Sequence, residues 1–332
     1  MKFKFFLGVG VSIFVGVFVA LGVLSVGTIA VNYIKTQSYA IYDSANDLGA
    51  KNEHEIEEKK VDDVFLEEDE NVIKNRYFLY ENSSDFPTVT SESYLVVDLD
   101  SGQMIRQKNQ DSIYSIASLT KLLTALVSLE TLNQDDETKV SYSAVNTYGG
   151  QGNLYSGQKI KIFDLLYPLL LESSNDAAEV IAEHNKREVF LENMNGKARS
   201  IGLFDSHFYD PSGLSQYNIS TVTDLFKLVQ YIYQEQKGIF QITKLRDYEL
   251  DDNKWFSNSR FRNDDRYYGG KNGYTDEALY TLVSIFDLPL VEGRDDLESN
   301  DRRIAIILLK GMETEDDTRA IISWLLDNIY YQ

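Results

Sequence analysis

The hydrophobic pattern divides the chain into three stretches. From Phe5 to about Ile34 no residue is charged, and Val, Phe, Leu, Ile and Gly dominate. At a rise of about 1.5 Å per residue such a run exceeds the ~30 Å hydrocarbon thickness, which predicts one transmembrane helix crossing with some tilt. Lys2 and Lys4 precede it, whereas Lys35 leads into an increasingly acidic stretch, so residues 1–35 are expected to place the amino terminus in the cytoplasm and the rest outside. A cleaved signal peptide is the rival, but its apolar region would be about twice the usual 7–15 residues. Residues 36–87 are polar and carry like-charged runs such as Glu67-Glu68-Asp69-Glu70, which self-repel and predict an extended acidic tether.

From residue 88 to 332 the pattern is that of a folded domain. Tyr94 to Asp98 is a short apolar run, Leu99 to Gly102 supplies turn chemistry, and Gln103 to Arg106 returns as a second strand. Leu122 to Leu132 is apolar and rich in helix formers, which puts Ser118 at or near the start of a buried helix. Further helices are expected at Phe163 to Leu171, Asp176 to His184 and Thr221 to Tyr233. Tyr280 to Ile285 and Ile304 to Leu309 read as buried strands separated by an acidic loop around Asp295, and Asp317 to Tyr330 as a terminal helix. This order predicts a mixed sheet with helices on its faces and a helical lobe.

Composition narrows the function classes. The formal charge of -20 would repel a phosphate backbone, and no basic run or stacking motif argues for nucleic acid as a partner. With no cysteine there is no disulfide, thiolate metal site or cysteine nucleophile. The three histidines and the absence of H-E-x-x-H argue against a Ser-His-Asp hydrolase and a zinc hydrolase, so neither metal nor cofactor is expected.

Candidate chemistry lies in three strings: Ser118-Leu119-Thr120-Lys121, Ser173-Ser174-Asn175 and Lys271-Asn272-Gly273. Ser118 and Lys121 are three apart, so on one helix their side chains share a face. A serine hydroxyl is a poor nucleophile until a base takes its proton, and a lysine can be that base when burial and a second ammonium, here Lys271, keep it neutral. In order and with one departure the strings match the S-x-x-K, S-x-N and K-T-G elements of serine acyl-transfer enzymes.

Longer phrases resemble the low-molecular-mass penicillin-binding proteins, the D-alanyl-D-alanine carboxypeptidases. They are Ala117 to Leu122, Ser173 to Ala178, Asp210-Pro211-Ser212-Gly213-Leu214, and Gly270 to Thr275 with Glu277-Ala278. The resemblance runs from about Val89 to the end and implies an α+β fold of the DD-peptidase and β-lactamase kind, a mainly antiparallel sheet flanked by helices plus a helical lobe. It implies that Ser118 attacks the carbonyl between two D-alanines of a peptidoglycan stem peptide and that Lys121 accepts its proton. Ser173 then passes a proton to the departing D-alanine, and Asn175 bonds the substrate amide. Lys271 sits near the substrate carboxylate, and the backbone N–H groups of Ser118 and Tyr274 hold the oxyanion. Asn272, Gly273, Tyr274 and Thr275 line the substrate, and β-lactams acylate Ser118. The departure is Asn272, where relatives carry Thr or Ser. Two alternatives use the same residues or fewer: an endopeptidase cutting D-alanine cross-links, and a catalytically impaired wall-binding module. A β-lactamase is disfavoured, since no deacylating glutamate stands out.

Overall fold

The computed structural model describes residues 76–149, 151–291 and 301–332. The expected membrane span, most of the acidic tether and the acidic loop around Asp295 lie outside the described residues.

Strand β1 (Tyr77–Leu79) precedes a hairpin of β2 (Ser93–Asp98) and β3 (Met104–Lys108). The short β4 (Tyr114–Ser115) leads into a 3-10 turn at Ala117–Leu119 that runs on as helix α1 (Thr120–Thr131). Next come β5 (Glu137–Lys139), α2 (Tyr142–Val145) and β6 (Lys159–Lys161), then helices α3 (Leu166–Leu171), α4 (Asn175–His184) and α5 (Arg187–Ser200). After β7 (Ile219–Ser220) the chain forms α6 (Val222–Glu235), α7 (Gly238–Lys244) and the hairpin β8 (Asp247–Leu250) and β9 (Asn253–Phe256). It closes with β10 (Tyr267–Thr275), β11 (Leu279–Leu288), β12 (Arg302–Gly311), α8 (Thr314–Asn328) and β13 (Ile329–Tyr331).

The main sheet has the order β10-β11-β12-β2-β3, and every neighbouring pair is antiparallel. The mixed sheet read from element order is thus corrected. Hairpins join β2 to β3 and β10 to β11, and the chain returning from the helices enters opposite to β2, so no parallel crossover forms.

Side-chain alternation gives this sheet two cores. Leu95, Val97, Val283, Ile285, Ala305 and Ile307 face the helical lobe and pack with α1, α3, α4 and α6. Val96, Leu282, Phe286, Ile304, Ile306 and Leu308 face the other way, onto Ile321, Trp324 and Leu325 of α8. Burial on both faces explains why β11 and β12 read as continuous apolar runs.

Three features differ from the sequence pattern. Helix α5 is polar around most of its circumference and buries Phe190, Met194 and Ala198 at a spacing of one turn, too narrow a stripe to stand out. The terminal helix stops at Asn328, and Ile329 to Tyr331 become a strand paired with β1. Residues 76–87, read as the end of the tether, therefore belong to the fold. Tyr77 and Phe86 pack against Tyr331 and Trp324, and the Trp324 indole N–H donates to the Ser84 carbonyl at 3.0 Å. Aromatic residues give this segment the apolar surface that the acidic runs before it lack.

Asp98 anchors that junction. Its fully buried carboxylate accepts from the Tyr77 hydroxyl at 2.5 Å and from Arg302 Nε and guanidinium NH2 at 2.8 and 2.6 Å, while its other oxygen accepts the N–H groups of Asp100 and Ser101 in the β2–β3 turn. Asp98→Ala leaves Arg302 largely buried without its counter-ion, and equilibrium urea unfolding is expected to show a loss of about 3 kcal/mol. A loss below about 1 kcal/mol would mean that Arg302 finds water instead.

Candidate active site

The site is built on a strained turn. Ala117 has φ 46°, a left-handed conformation that costs a non-glycine residue free energy and persists only where neighbours enforce it. Three distant segments and the nearby Thr120 do so. The Thr281 hydroxyl donates to the Ile116 carbonyl at 3.1 Å, and the Thr120 hydroxyl donates to the Ala117 carbonyl at 2.8 Å. Gly213 packs so closely that a Cβ there would lie 1.9 Å from the Ala117 carbonyl oxygen, and one on Gly273 would lie 2.7 Å from the Ser118 nitrogen. Ser118 thus sits on a 3-10 turn that runs directly into α1, at the start of the buried helix as its sequence suggested.

Lys121, in the first turn of α1, is fully buried. Its Nζ meets three oxygens: Ser118 Oγ at 3.0 Å, Asn175 Oδ1 at 2.8 Å and the Ser212 carbonyl at 2.5 Å. Burial, and next the charge of Lys271, hold its pKa well below the ordinary lysine value, while Asp210 and Glu179 act weakly the other way. A neutral amine has two N–H donors and one lone pair. Asn175 Oδ1 and the Ser212 carbonyl can only accept, so they take both donors and leave the lone pair for the Ser118 hydroxyl proton.

Both acceptors are held firmly. Asp210 gathers its own turn, its carboxylate accepting the N–H groups of Ser212, Gly213 and Ser215 at 2.8, 2.6 and 2.6 Å, which presents the Ser212 carbonyl to Lys121. Asn175 Nδ2 donates to the Tyr148 carbonyl at 2.9 Å and approaches that of Gly149 at 3.4 Å. The Asn175 side chain thus has a partner within the protein on both its oxygen and its nitrogen. The rings of Tyr142, Tyr148 and Tyr155 are exposed, so this tyrosine-rich segment borders the site instead of filling a core.

Ser173 also has a left-handed backbone, φ 64°, and its buried Oγ has no hydrogen-bond partner among the described residues. Its neighbour Ser174 caps α4, accepting the Ala177 N–H at 3.0 Å. Lys271 is buried on β10 and donates to the Asn272 carbonyl at 2.8 Å, and burial pulls its pKa down to about 7.

Strand β10 is an edge of the sheet. Its first half is covered by α7, where the Gly270 N–H donates to the Thr243 hydroxyl at 3.0 Å, and its second half lies beside Ser118. Lys271 is opposite Val283 and Asn272 opposite Leu282, residues of the two different cores. By this register Asn272 takes the α8 face, and Lys271 and Gly273 share the face toward Ser118. A small pocket beside Ser259, Phe261, Leu282 and Glu315 is bordered by both Asn272 and Lys271. The Tyr274 ring is half exposed, 4.7 Å from that of Tyr280, and the Thr275 hydroxyl accepts the Ala278 N–H at 3.1 Å in the turn to β11.

Sequence reasoning gave no role to Ser212, whose carbonyl has no side-chain signature. The Pro-Ser-Gly turn after Asp210 was the available signal. Among the described residues no group of three or more His, Asp or Glu is placed to hold a metal ion.

Comparison with known proteins agrees with this geometry. Residues 80–286 match the model of the family described as D-alanyl-D-alanine carboxypeptidase. The chain belongs to that family. Among relatives in this family, the D-alanyl-D-alanine endopeptidase of Escherichia coli is 35% identical over 147 residues, 43% of this chain and 47% of that protein. The chain thus aligns with about half the length of that curated relative. Of solved family structures, the D-alanyl-D-alanine carboxypeptidase of Mycobacterium tuberculosis superposes with TM-score 0.64 at 26% identity, covering 74% of this chain and 94% of that one. Penicillin-binding protein D2 of Listeria monocytogenes, solved with cefotaxime bound, gives 0.63 at 23%, covering 73% and 99%, and shares the fold.

The two buried lysines set a pH profile for a site of this kind. Lys121 works when neutral, so rates fall on the acid side as it gains a proton. Lys271, brought down to about 7 by burial, is cationic below that value and loses its charge as pH rises past it. The expected kcat/KM profile on a D-alanyl-D-alanine peptide is bell-shaped, and Lys271→Arg, which stays charged, is expected to remove the alkaline limb. An alkaline limb unchanged in the Arg variant assigns it to another group.

Proposed function

We propose that this chain hydrolyses the bond between the two terminal D-alanines of peptidoglycan stem peptides through an acyl-enzyme on Ser118. One observation carries the reading: the buried Lys121 Nζ lies within hydrogen-bond distance of Ser118 Oγ and of two oxygens that can only accept, Asn175 Oδ1 and the Ser212 carbonyl, so as a neutral amine it turns its lone pair to the Ser118 hydroxyl. Ser118 Oγ attacks the penultimate D-alanine carbonyl while its proton passes to Lys121. The backbone N–H groups of Ser118 and Tyr274 hold the oxyanion, a contact worth about 3 kcal/mol in the transition state. The C–N bond then breaks, and the proton held by Lys121 passes to the leaving amine by way of Ser173, whose hydroxyl has no other partner among the described residues. Water adds to the ester, Lys121 again taking the proton, and Ser118 is regenerated. A β-lactam opened by the same attack leaves its acyl group on Ser118.

A second reading, cleavage of D-alanine cross-links, is favoured by the name of the E. coli relative. The uncharged stretch from Phe5 to Ile34 supports an uncleaved single-pass anchor with the catalytic domain outside the cell membrane.

The test is product analysis on linear pentapeptide and on cross-linked muropeptide, with fluorescent penicillin as a probe of acylation. Released D-alanine with penicillin uptake supports the carboxypeptidase, and shortened dimers support the endopeptidase. Stem-peptide binding without either leaves a wall-binding module. Because its side chain lies on the far face of β10, Asn272→Thr is expected to change acylation by less than about threefold. A larger change would put position 272 at the substrate.

A further inference from the structure

The β8–β9 hairpin lies outside the three motifs, yet it grips the second of them from both sides. Its base is tied to the residues just ahead of Ser173: the Phe256 N–H donates to Glu172 Oε1 at 3.0 Å, and the Asn258 N–H donates to the Leu171 carbonyl at 3.0 Å. Its Trp255 is fully buried, and the indole N–H donates to the Gly152 carbonyl at 2.7 Å. A stack of Tyr167 on Tyr248, with centroids 3.5 Å apart, continues to the Trp255 ring at 6.4 Å and fixes the indole.

Gly152 belongs to the loop that covers the second motif. At φ 99° it is pressed so tightly that a Cβ would lie 2.8 Å from Ser174 Oγ and 3.0 Å from Pro168 Cβ. The same loop supplies the Gln151 carbonyl that accepts from the Ser174 hydroxyl and the Tyr148 carbonyl that accepts from Asn175 Nδ2. Asn175 Oδ1 in turn receives a Lys121 N–H. The described contacts thus run from the hairpin to Gly152, from Gly152 and Gln151 to Ser174, and from its neighbour Asn175 to the base.

We propose that Trp255 is a positioning residue for catalysis: its indole N–H holds the loop whose carbonyls orient Asn175, and through Asn175 it directs the lone pair of Lys121 at Ser118. The proposal rests on reading Ser118 as the acylated residue. Without the indole donor the buried Gly152 carbonyl has no partner in the hairpin, and the loop gains freedom to shift. Asn175 can then rotate, and the Lys121 amine can turn its lone pair away from the hydroxyl.

The test uses the full chain with Trp255→Phe, which keeps an aromatic ring in the stack but removes the donor, and Tyr248→Phe as a control that keeps the stack and touches no part of the loop. Acylation by fluorescent penicillin is followed as a first-order rate at saturation and normalised to the fraction that finally labels, so a loss of folded protein does not enter. Trp255→Phe is expected to slow that rate by about tenfold or more with the control unchanged, because small misplacement of a reacting pair is costly. Amide hydrogen exchange is expected to rise in the loop and in the first turn of α4. A Trp255→Phe rate within about twofold of the parent overturns the proposal, as does an equal slowing in the control. If the parent chain itself takes up no penicillin, the acyl-enzyme reading fails. Hydrogen exchange still decides the hairpin's hold: unchanged protection in Trp255→Phe refutes it, and protection lost in the loop and α4 alone upholds it.

Discussion

Lys121→Met is expected to lower the rate of penicillin acylation by about 10⁴-fold while the protein remains folded. Methionine fills nearly the same buried volume, so the apolar packing around α1 survives. The chemistry does not survive, because Ser118 loses the only amine within hydrogen-bond reach of its hydroxyl among the described residues. The substitution also leaves Asn175 Oδ1 and the Ser212 carbonyl without the N–H groups that faced them, which limits any gain from removing a buried amine. Stopped-flow labelling measures the rate, and circular dichroism checks the fold. A loss of tenfold or less would mean that another group takes the Ser118 proton.

Gly213→Ala is expected to damage both stability and activity although residue 213 touches no reacting atom. Its φ of 88° already excludes ordinary side chains, and a Cβ would lie 1.9 Å from the Ala117 oxygen and 2.4 Å from its carbonyl carbon. Both are backbone atoms with no rotamer to yield, so either the Asp210 turn or the Ser118 turn must move. Displacing the second takes Ser118 away from Lys121, and displacing the first takes the Ser212 carbonyl off the amine. A loss of about 3 kcal/mol in unfolding free energy is expected. In the fraction that stays folded, acylation is expected to fall by about a hundredfold. Parent-like values for both would mean that the contact between the two turns is not obligatory.

The secondary structure was legible where periodicity was strong. The apolar runs of β2, β11 and β12 and the apolar α1 announce themselves because each is buried over most of its surface. What stayed hidden depends on partners distant in sequence. Tyr267 to Thr275 contains three glycines and a lysine and has no strand signature, yet eight of its residues pair with β11, and α7 covers the first part of its outer edge. Ile329 to Tyr331 continues a helical pattern and becomes a strand only because β1 offers an edge.

The site shows the same division. Ser118, Lys121 and Asn175 could be named from spacing, and they meet within hydrogen-bond distance. Their arrangement could not be read: the left-handed Ala117 and the carbonyl of Ser212 act through backbone geometry, which has no letter in a sequence, and the Trp255 indole meets a backbone carbonyl about a hundred residues away. The role of Asn272 was legible as a departure from a pattern, but the face it takes on β10 follows only from register.

The main sheet also acts as a bulkhead. All the groups around the Lys121 amine lie on its helical-lobe side, whereas the apolar contacts of Phe286, Ile306, Ile321 and Trp324 lie behind it with α8. A lesion in that rear compartment would drain the supply of native enzyme through faster unfolding and clearance, and each surviving molecule would still turn over at its normal speed. Genetic damage there would mimic a change in dosage.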